Sequence, residues 1–153
     1  MKNVRRKDRE ITTEEATLLL DSAEYGVLST AGADGQPYGV PLNYVHKNGC
    51  IYFHCALDGE KTDNLTANPK ASFCVVGQTR LLPAQFSTEY ESAITFGTAS
   101  EVEGDERYAA LVWLLEKYSP EFIAQGKEYI ARKEKATRVI KIAISHLSGK
   151  ARK

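Results

Sequence analysis

The chain has 153 residues, of which 42% are hydrophobic and 26% are charged, and this matches one globular domain with no room for a second. Twenty basic and twenty acidic residues cancel, so the broad positive field that drives general nucleic-acid binding is absent. The basic residues at the two ends, within 1–11 and 149–153, are therefore expected to lie in solvated tails of this single domain, which spans 1–153.

The cysteines and the absence of apolar runs set the expected compartment. Cys50, Cys55 and Cys74 are odd in number and lack the C-x-x-C spacing of a metal knuckle, so reduced thiols are expected rather than disulfides. No segment approaches the roughly twenty apolar residues of a membrane helix, and residues 1–5 lead into charge rather than into a signal core. We therefore expect a cytoplasmic protein with no membrane segment.

Six strands and several short helices are predicted in chain order. Thr12 and Glu15 form a capping box ahead of a first helix at 13–23. Alternation and turn residues predict strands at 25–30, 37–45, 50–54, 70–76, 93–102 and 137–144, with a loop at 78–91. Further helices are expected at 60–65, at 105–117 with Asp105 as its cap, and after Ser119–Pro120, with Phe122, Ile123, Tyr129 and Ile130 facing the core. This order favours an antiparallel barrel over a doubly wound sheet.

Residue constellations for protein-based catalysis are not found. Cys55 follows His54, but neighbours on a strand point to opposite faces and make a poor nucleophile–base pair. His46, His54 and His146 lack the spacing of metal ligands. The catalytic residues therefore stay unknown at this stage, and no metal site is predicted.

The segment 51–65 is a candidate phosphate-binding corner. An apolar strand ends in His54, Asp58–Gly59 supplies a turn, and Lys61 falls in the first turn of the short helix. A helix N-terminus attracts anions through its unpaired amide groups and its dipole, and a lysine adds a mobile charge. The alternative is an ordinary strand–turn–helix connection with a solvated lysine.

Five motifs lie in register along nearly the whole chain: EYGVLST at 24–30, GQPYGVPLNY at 35–44, the block 51–76, YES at 90–92 and SGKAR at 148–152. Together they resemble the pyridoxamine 5'-phosphate oxidase-like FMN-binding split barrels, most closely their nitroimidazole-resistance (Nim-type) branch. The resemblance implies a mainly β (α+β) fold, a six-stranded antiparallel split β-barrel with small flanking helices.

The resemblance also implies FMN as the cofactor, held at the interface of a homodimer. Lys61 matches the family's phosphate-binding lysine, and either of the last two motifs could reach the flavin from the partner subunit. The implied cofactor-binding set is Val40, Pro41, Leu42, Asn43, His54, Lys61, Thr62, Asn64, Tyr90, Ser92 and Lys150. Core packing is the alternative for the side chains of Val40 and Leu42.

One position departs from the family pattern. Oxidases of the wider family have consecutive basic residues before the helix, whereas this chain has Glu60 followed by Lys61. Glu60 either points outward or weakens phosphate binding. The resemblance implies an FMN-dependent reductase of nitroaromatic or quinone-like acceptors that takes electrons from a small-molecule donor, because the isoalloxazine ring carries the redox chemistry. A non-enzymatic flavin- or haem-binding protein of the same fold is the alternative.

Overall fold

One antiparallel sheet of seven strands forms the body of the protein in the computed structural model, which describes residues 1–153. The strands are β1 (Gly26–Ala31), β2 (Pro37–Leu42), β3 (Val45–Lys47), β4 (Cys50–Ala56), β5 (Lys70–Leu82), β6 (Ser87–Glu101) and β7 (Thr137–Arg152). Their order is β2-β1-β5-β6-β7-β4-β3. The end strands β2 and β3 do not pair with each other, although only Asn43 and Tyr44 separate them in sequence, so the barrel is split there.

Four α-helices flank the sheet: α1 (Thr13–Ser22), α2 (Glu60–Ala67), α3 (Gly104–Tyr118) and α4 (Ile123–Lys133). The inward side chains of the strands and the buried face of α1 share one hydrophobic core, which includes Leu20, Phe53 and Phe73. A second, smaller cluster lies outside the barrel, where α3 packs on Tyr52 and Val139. The two clusters leave β4 with a buried inner face and a partly covered outer face. No helix is long and apolar enough to cross a membrane.

The predicted number of six strands is wrong, because the predicted strand at 37–45 breaks in two. The backbone leaves the ladder at Asn43 and Tyr44, so β2 pairs with β1 and β3 pairs with β4. The antiparallel, mainly β architecture with small helices is confirmed.

The predicted loop at 78–91 is also wrong. β5 and β6 continue through it as a long hairpin, in which Arg80 pairs with Glu89 both in the backbone register and through a salt bridge. A short 3-10 turn at Pro83–Gln85 closes this hairpin. Both strands carry polar residues here, so a search for alternating hydrophobic residues does not predict the hairpin.

The predicted tails at 1–11 and 149–153 both contain regular structure. Residues 149–152 belong to β7 and pair with β6, so only Lys153 extends beyond that strand. The N-terminal segment contains a 3-10 turn at Lys7–Arg9, and the amide of Ile11 donates to the carbonyl of Gly149.

The structure confirms one of the three predicted helix caps. The capping box of Thr12 and Glu15 is confirmed. Asp105 does not cap α3, which begins one residue earlier after Glu103, and Ser119 makes no side-chain cap. Phe122 and Tyr129 are 58% and 55% exposed, so their predicted place in the core is wrong.

Candidate functional site

Four of the predicted site residues lie at the corner between β2 and β3. Val40 and Leu42 are half-buried and pack against the main core, whereas Pro41 and Asn43 are exposed on the outer side. Because β2 ends the sheet order, the backbone groups on its free edge are not used by a neighbouring strand. A ligand at this edge would therefore meet backbone groups of β2, because the side chains of Val40 and Leu42 pack against the core.

The outer face of β4 forms the floor of a cavity beside this corner. His54 and Ala56 point outward, while Cys55 is buried inside the barrel. Partial burial lowers the pKa of His54 below its usual value, so its imidazole is neutral at pH 7. A neutral imidazole donates one hydrogen bond and accepts another.

The N-terminus of α2 follows directly from β4 through the turn at Gly59. Gly59 has φ +150°, a conformation that L side chains rarely adopt, and it provides no side-chain cap for the helix. The first intrahelical bond joins the Asp63 amide to the Gly59 carbonyl, so the amides of Glu60, Lys61 and Thr62 precede the ladder. This helix start has the free donors that an anion needs.

Lys61 is half-buried at this helix start and forms no ion pair, while Glu60 is exposed and also unpaired. Burial raises the pKa of the Cys55 thiol, and the charges of Lys61 and Arg138 partly oppose that rise. Two cations thus lie close to the end of β4. Arg138 escaped the sequence prediction because its position depends on the pairing of Cys55 with Arg138 between β4 and β7.

Thr62 and Asn64 have other partners in the structure. The Thr62 hydroxyl donates to the Gly59 carbonyl at 2.8 Å and is buried. The Asn64 amide donates to the Thr30 hydroxyl at 3.0 Å and ties α2 to β1. Both side chains therefore shape the corner, and its free donors are the first-turn amides and Lys61.

A cavity of about 580 Å³ lies between the end of β4 and the α3–α4 helix pair. Its floor and rim include Asn43, His54 and Ala56, so it joins the β2–β3 corner to the outer face of β4. The opposite wall is largely apolar and is lined by Leu111, Leu114, Leu115, Tyr118, Tyr129 and Ile130. Such a cavity suits a flat, mostly apolar ligand with a few polar groups. The two helices meet only in three dimensions, so their groove had no signal in the sequence.

Tyr90, Ser92 and Lys150 form a separate group on β6 and β7. Ser92 pairs with Lys150, and Tyr90 pairs with Arg152. His54 pairs with Val139 on the same strand β7, eleven residues from Lys150. At about 3.3 Å per residue, that separation is roughly 36 Å along the strand. Tyr90, Ser92 and Lys150 of one protomer are therefore remote from His54 along β7.

The split antiparallel sheet, the open helix start after β4 and the cavity beside β4 define a split-barrel protein with a candidate site on the outer face of β4. The sequence profile of the pyridoxamine 5'-phosphate oxidase family matches residues 12–151, and the chain belongs to that family. No curated protein matches the sequence.

Solved structures share the fold at low sequence identity. Protein Rv2991 from Mycobacterium tuberculosis is 21% identical with a TM-score of 0.82, and the match covers 97% of this chain and 90% of that one. The FAD and heme binding protein from Mycobacterium smegmatis is 21% identical with a TM-score of 0.76, covering 94% and 73%. A candidate 5-nitroimidazole antibiotic resistance protein from Bacteroides thetaiotaomicron is 20% identical with a TM-score of 0.73, covering 92% and 85%.

Proposed function

We propose that this protein is a homodimeric, FMN-dependent oxidoreductase that reduces nitroaromatic or quinone-like acceptors. The observation that carries the proposal is the cavity beside the end of β4 together with the helix start that follows it. The cavity is lined by His54, Ala56 and Asn43, and the uncapped start of α2, with the unpaired Lys61, follows β4 after a three-residue turn. A flavin mononucleotide has a phosphate at one end and a flat ring at the other, which matches that arrangement of charge and shape.

The residues present fit such a cofactor. The first-turn amides and Lys61 would hold the phosphate through charge-assisted hydrogen bonds. His54 would contact the ribityl chain, and backbone groups along the free edge of β2 would bond the polar edge of the ring. FMN supplies the electron and hydride transfer when it is bound.

The protein's own contribution is to bind and orient the reactants. The apolar wall of α3 and α4 would exclude water from one face of the cavity and hold a flat acceptor by packing. No carboxylate lines the cavity, so its ionisable groups are His54, Arg107, Lys133, Cys55, Tyr118 and Tyr129. The first three can carry positive charge or donate hydrogen bonds, which favours acceptors that gain negative charge, such as nitro groups and quinones.

Homodimer formation is supported by an uncovered apolar surface on the outside of the sheet. Cross-strand pairing aligns Val27 with Cys74, and Cys74 with Ile94, on neighbouring strands. Val27, Val76 and Ile94 are 37%, 56% and 36% exposed. An apolar sheet face of this kind is stabilised by a second copy. A dimer would also allow Tyr90, Ser92 and Lys150 to reach the flavin of the partner subunit.

The test is cofactor loading followed by turnover. Purified protein is mixed with FMN, freed of unbound ligand, and the mass of the released chromophore is measured. NADH or NADPH oxidation is then followed with and without a nitroimidazole or a quinone. Retained FMN and acceptor-dependent donor oxidation are expected. Protein that takes up no FMN would contradict the cofactor assignment, and FMN-loaded protein without turnover on either acceptor class would contradict the enzymatic assignment.

A second candidate function is flavin or haem binding without turnover. The observation that favours haem is the neutral His54 at the floor of an apolar cavity, because neutral imidazole is a common iron ligand. The structurally similar protein from M. smegmatis is described as binding FAD and heme. Titration of wild type and His54→Ala with haem tests haem binding. A Soret shift that is seen in wild type and lost in His54→Ala supports it.

A further inference from the structure

The corner between β2 and β3 is held by side chains of α3 rather than by a neighbouring strand. The amide of Tyr44 donates to the Tyr118 hydroxyl at 3.0 Å. The ammonium of Lys117 donates to the Tyr44 carbonyl at 3.0 Å. Both backbone groups of Tyr44 thus bond to two consecutive residues at the end of α3, at the point where the chain leaves the ladder.

The hydroxyl of Tyr118 explains why Lys117 is also needed. It carries one proton, but two carbonyl oxygens lie within its reach, those of Glu24 and Tyr44. If the proton goes to Glu24, the carbonyl of Tyr44 depends on Lys117. The Tyr44 hydroxyl in turn donates to the carbonyl of Leu20 in α1. Tyr44 is fully buried, so every one of these groups must be satisfied inside the protein.

Lys117 is bound through its charge to aromatic rings instead of to a carboxylate. Its ammonium lies 3.8 Å from the centroid of the Tyr44 ring and 5.2 Å from that of Tyr118, and it forms no ion pair. A cavity of about 490 Å³ opens beside it. The charged or titratable groups that line this cavity with Lys117 are Asp21 from α1, His46 and Lys47 from β3, and Glu116 from α3. Asp21 and His46 pair with each other at 2.7 Å.

The corner leads directly into the proposed flavin site. Asn43 precedes Tyr44 and lines the 580 Å³ cavity, and Tyr118 lines the same cavity from the opposite wall. We propose that Lys117 and Tyr118 are positioning residues that together form a corner latch, which holds the free edge of β2 in the geometry that binds the flavin ring. This inference rests on the proposed function.

The latch gives flavin binding a dependence on pH. Burial lowers the pKa of Lys117 to about 8, with the charge of Asp21 opposing the shift. A neutral amine loses the attraction to the Tyr44 ring and donates a weaker hydrogen bond to the carbonyl. The latch is therefore firm below pH 8 and loosens as the pH rises through 8, and FMN affinity should decrease across the same interval.

The experiment measures FMN affinity between pH 7 and pH 9 in wild type and variants by fluorescence titration. Lys117→Met should bind FMN about 10-fold more weakly at pH 7 and show no break near pH 8. Lys117→Arg keeps its charge over this range, so it should retain tight binding at pH 9. Lys127→Met, on the exposed surface of α4, is the matched control and should follow wild type.

Tyr118→Phe provides a second measurement that does not depend on the lysine. It removes the acceptor of the Tyr44 amide, so hydrogen exchange of that amide should speed up at least about 10-fold in the unliganded protein, and FMN affinity should fall. Tyr108→Phe removes an exposed hydroxyl from the same helix and should change neither quantity.

The outcomes are distinct. Wild-type FMN affinity and wild-type pH dependence in both Lys117→Met and Tyr118→Phe would overturn the latch while leaving the proposed cofactor in place. Wild-type protein that binds no FMN at any of these pH values would overturn the proposed function and the latch with it.

Discussion

Lys61→Ala is the perturbation that tests the phosphate corner most sharply. Lys61 is half-buried at the uncapped start of α2 and has no carboxylate partner, so its charge is available to a ligand. At about 4 Å and an effective dielectric constant of about 20, a unit charge pair is worth roughly 4 kcal/mol. Ordering the lysine side chain costs up to about 2 kcal/mol. The net loss on removing Lys61 is therefore about 2 kcal/mol, or roughly 30-fold in affinity.

The assay is isothermal titration calorimetry with FMN and with riboflavin, which lacks the phosphate. FMN affinity should fall about 30-fold in Lys61→Ala, while riboflavin affinity should stay nearly constant. Lys70→Ala is the matched control, because Lys70 is exposed beyond the C-terminal end of α2. Glu60→Gln should change FMN affinity by less than about 0.5 kcal/mol, since the Glu60 carboxylate is exposed. Equal FMN affinity in wild type and Lys61→Ala would refute the reasoning and return Lys61 to a solvated helix residue.

Three further predictions concern the dimer, the thiols and the acid limit of stability. Ile94→Glu puts a charge on the uncovered sheet face and should give monomers that bind FMN weakly, as judged by light scattering; a stable dimer would contradict the assigned interface. Replacing Cys50, Cys55 and Cys74 together by serine should leave FMN reduction by the donor intact in the folded protein, because the three are free thiols and burial raises the pKa of Cys55 and Cys74, which disfavours the reactive thiolate; complete loss of reduction with FMN still bound would contradict this. Hydrogen bonds from Tyr52 and Lys141 lower the pKa of the Glu106 carboxyl group. The ionised carboxylate therefore stabilises the folded protein above about pH 4.5, and this stabilisation is lost as the pH falls through the lowered folded-state pKa. Glu106→Gln should therefore lower the thermal midpoint at pH 7 and match wild type in acid, and an equal deficit at both pH values would contradict the assignment.

Local signals in the sequence predicted the parts of the fold that depend on neighbouring residues. The capping box at Thr12 and Glu15 fixes the start of α1. The hairpin turn between β3 and β4 uses Asn48 and Gly49, both with positive φ, as the Asn-Gly pair indicates. The helix start at Glu60 follows from the glycine before it. These features are set within a few residues, so a single sequence reveals them.

The parts that escaped prediction depend on contacts between distant residues. Tyr44 reads as the continuation of a strand, and only Tyr118, 74 residues away, shows why the chain leaves the ladder there. The long β5–β6 hairpin has polar residues on both strands, and its pairing of Arg80 with Glu89 becomes visible only in the folded register. Arg138 reaches the end of β4 through the same kind of cross-strand pairing. Hydrophobic periodicity carries none of this information.

The central claim is that a flavin lies between two subunits of this split barrel. The most direct measurement is light scattering coupled to absorbance on protein that has been loaded with FMN and separated from free ligand. The account predicts a particle with the mass of a dimer and one FMN per chain. A monomer that retains FMN, or a dimer that retains none, would contradict it.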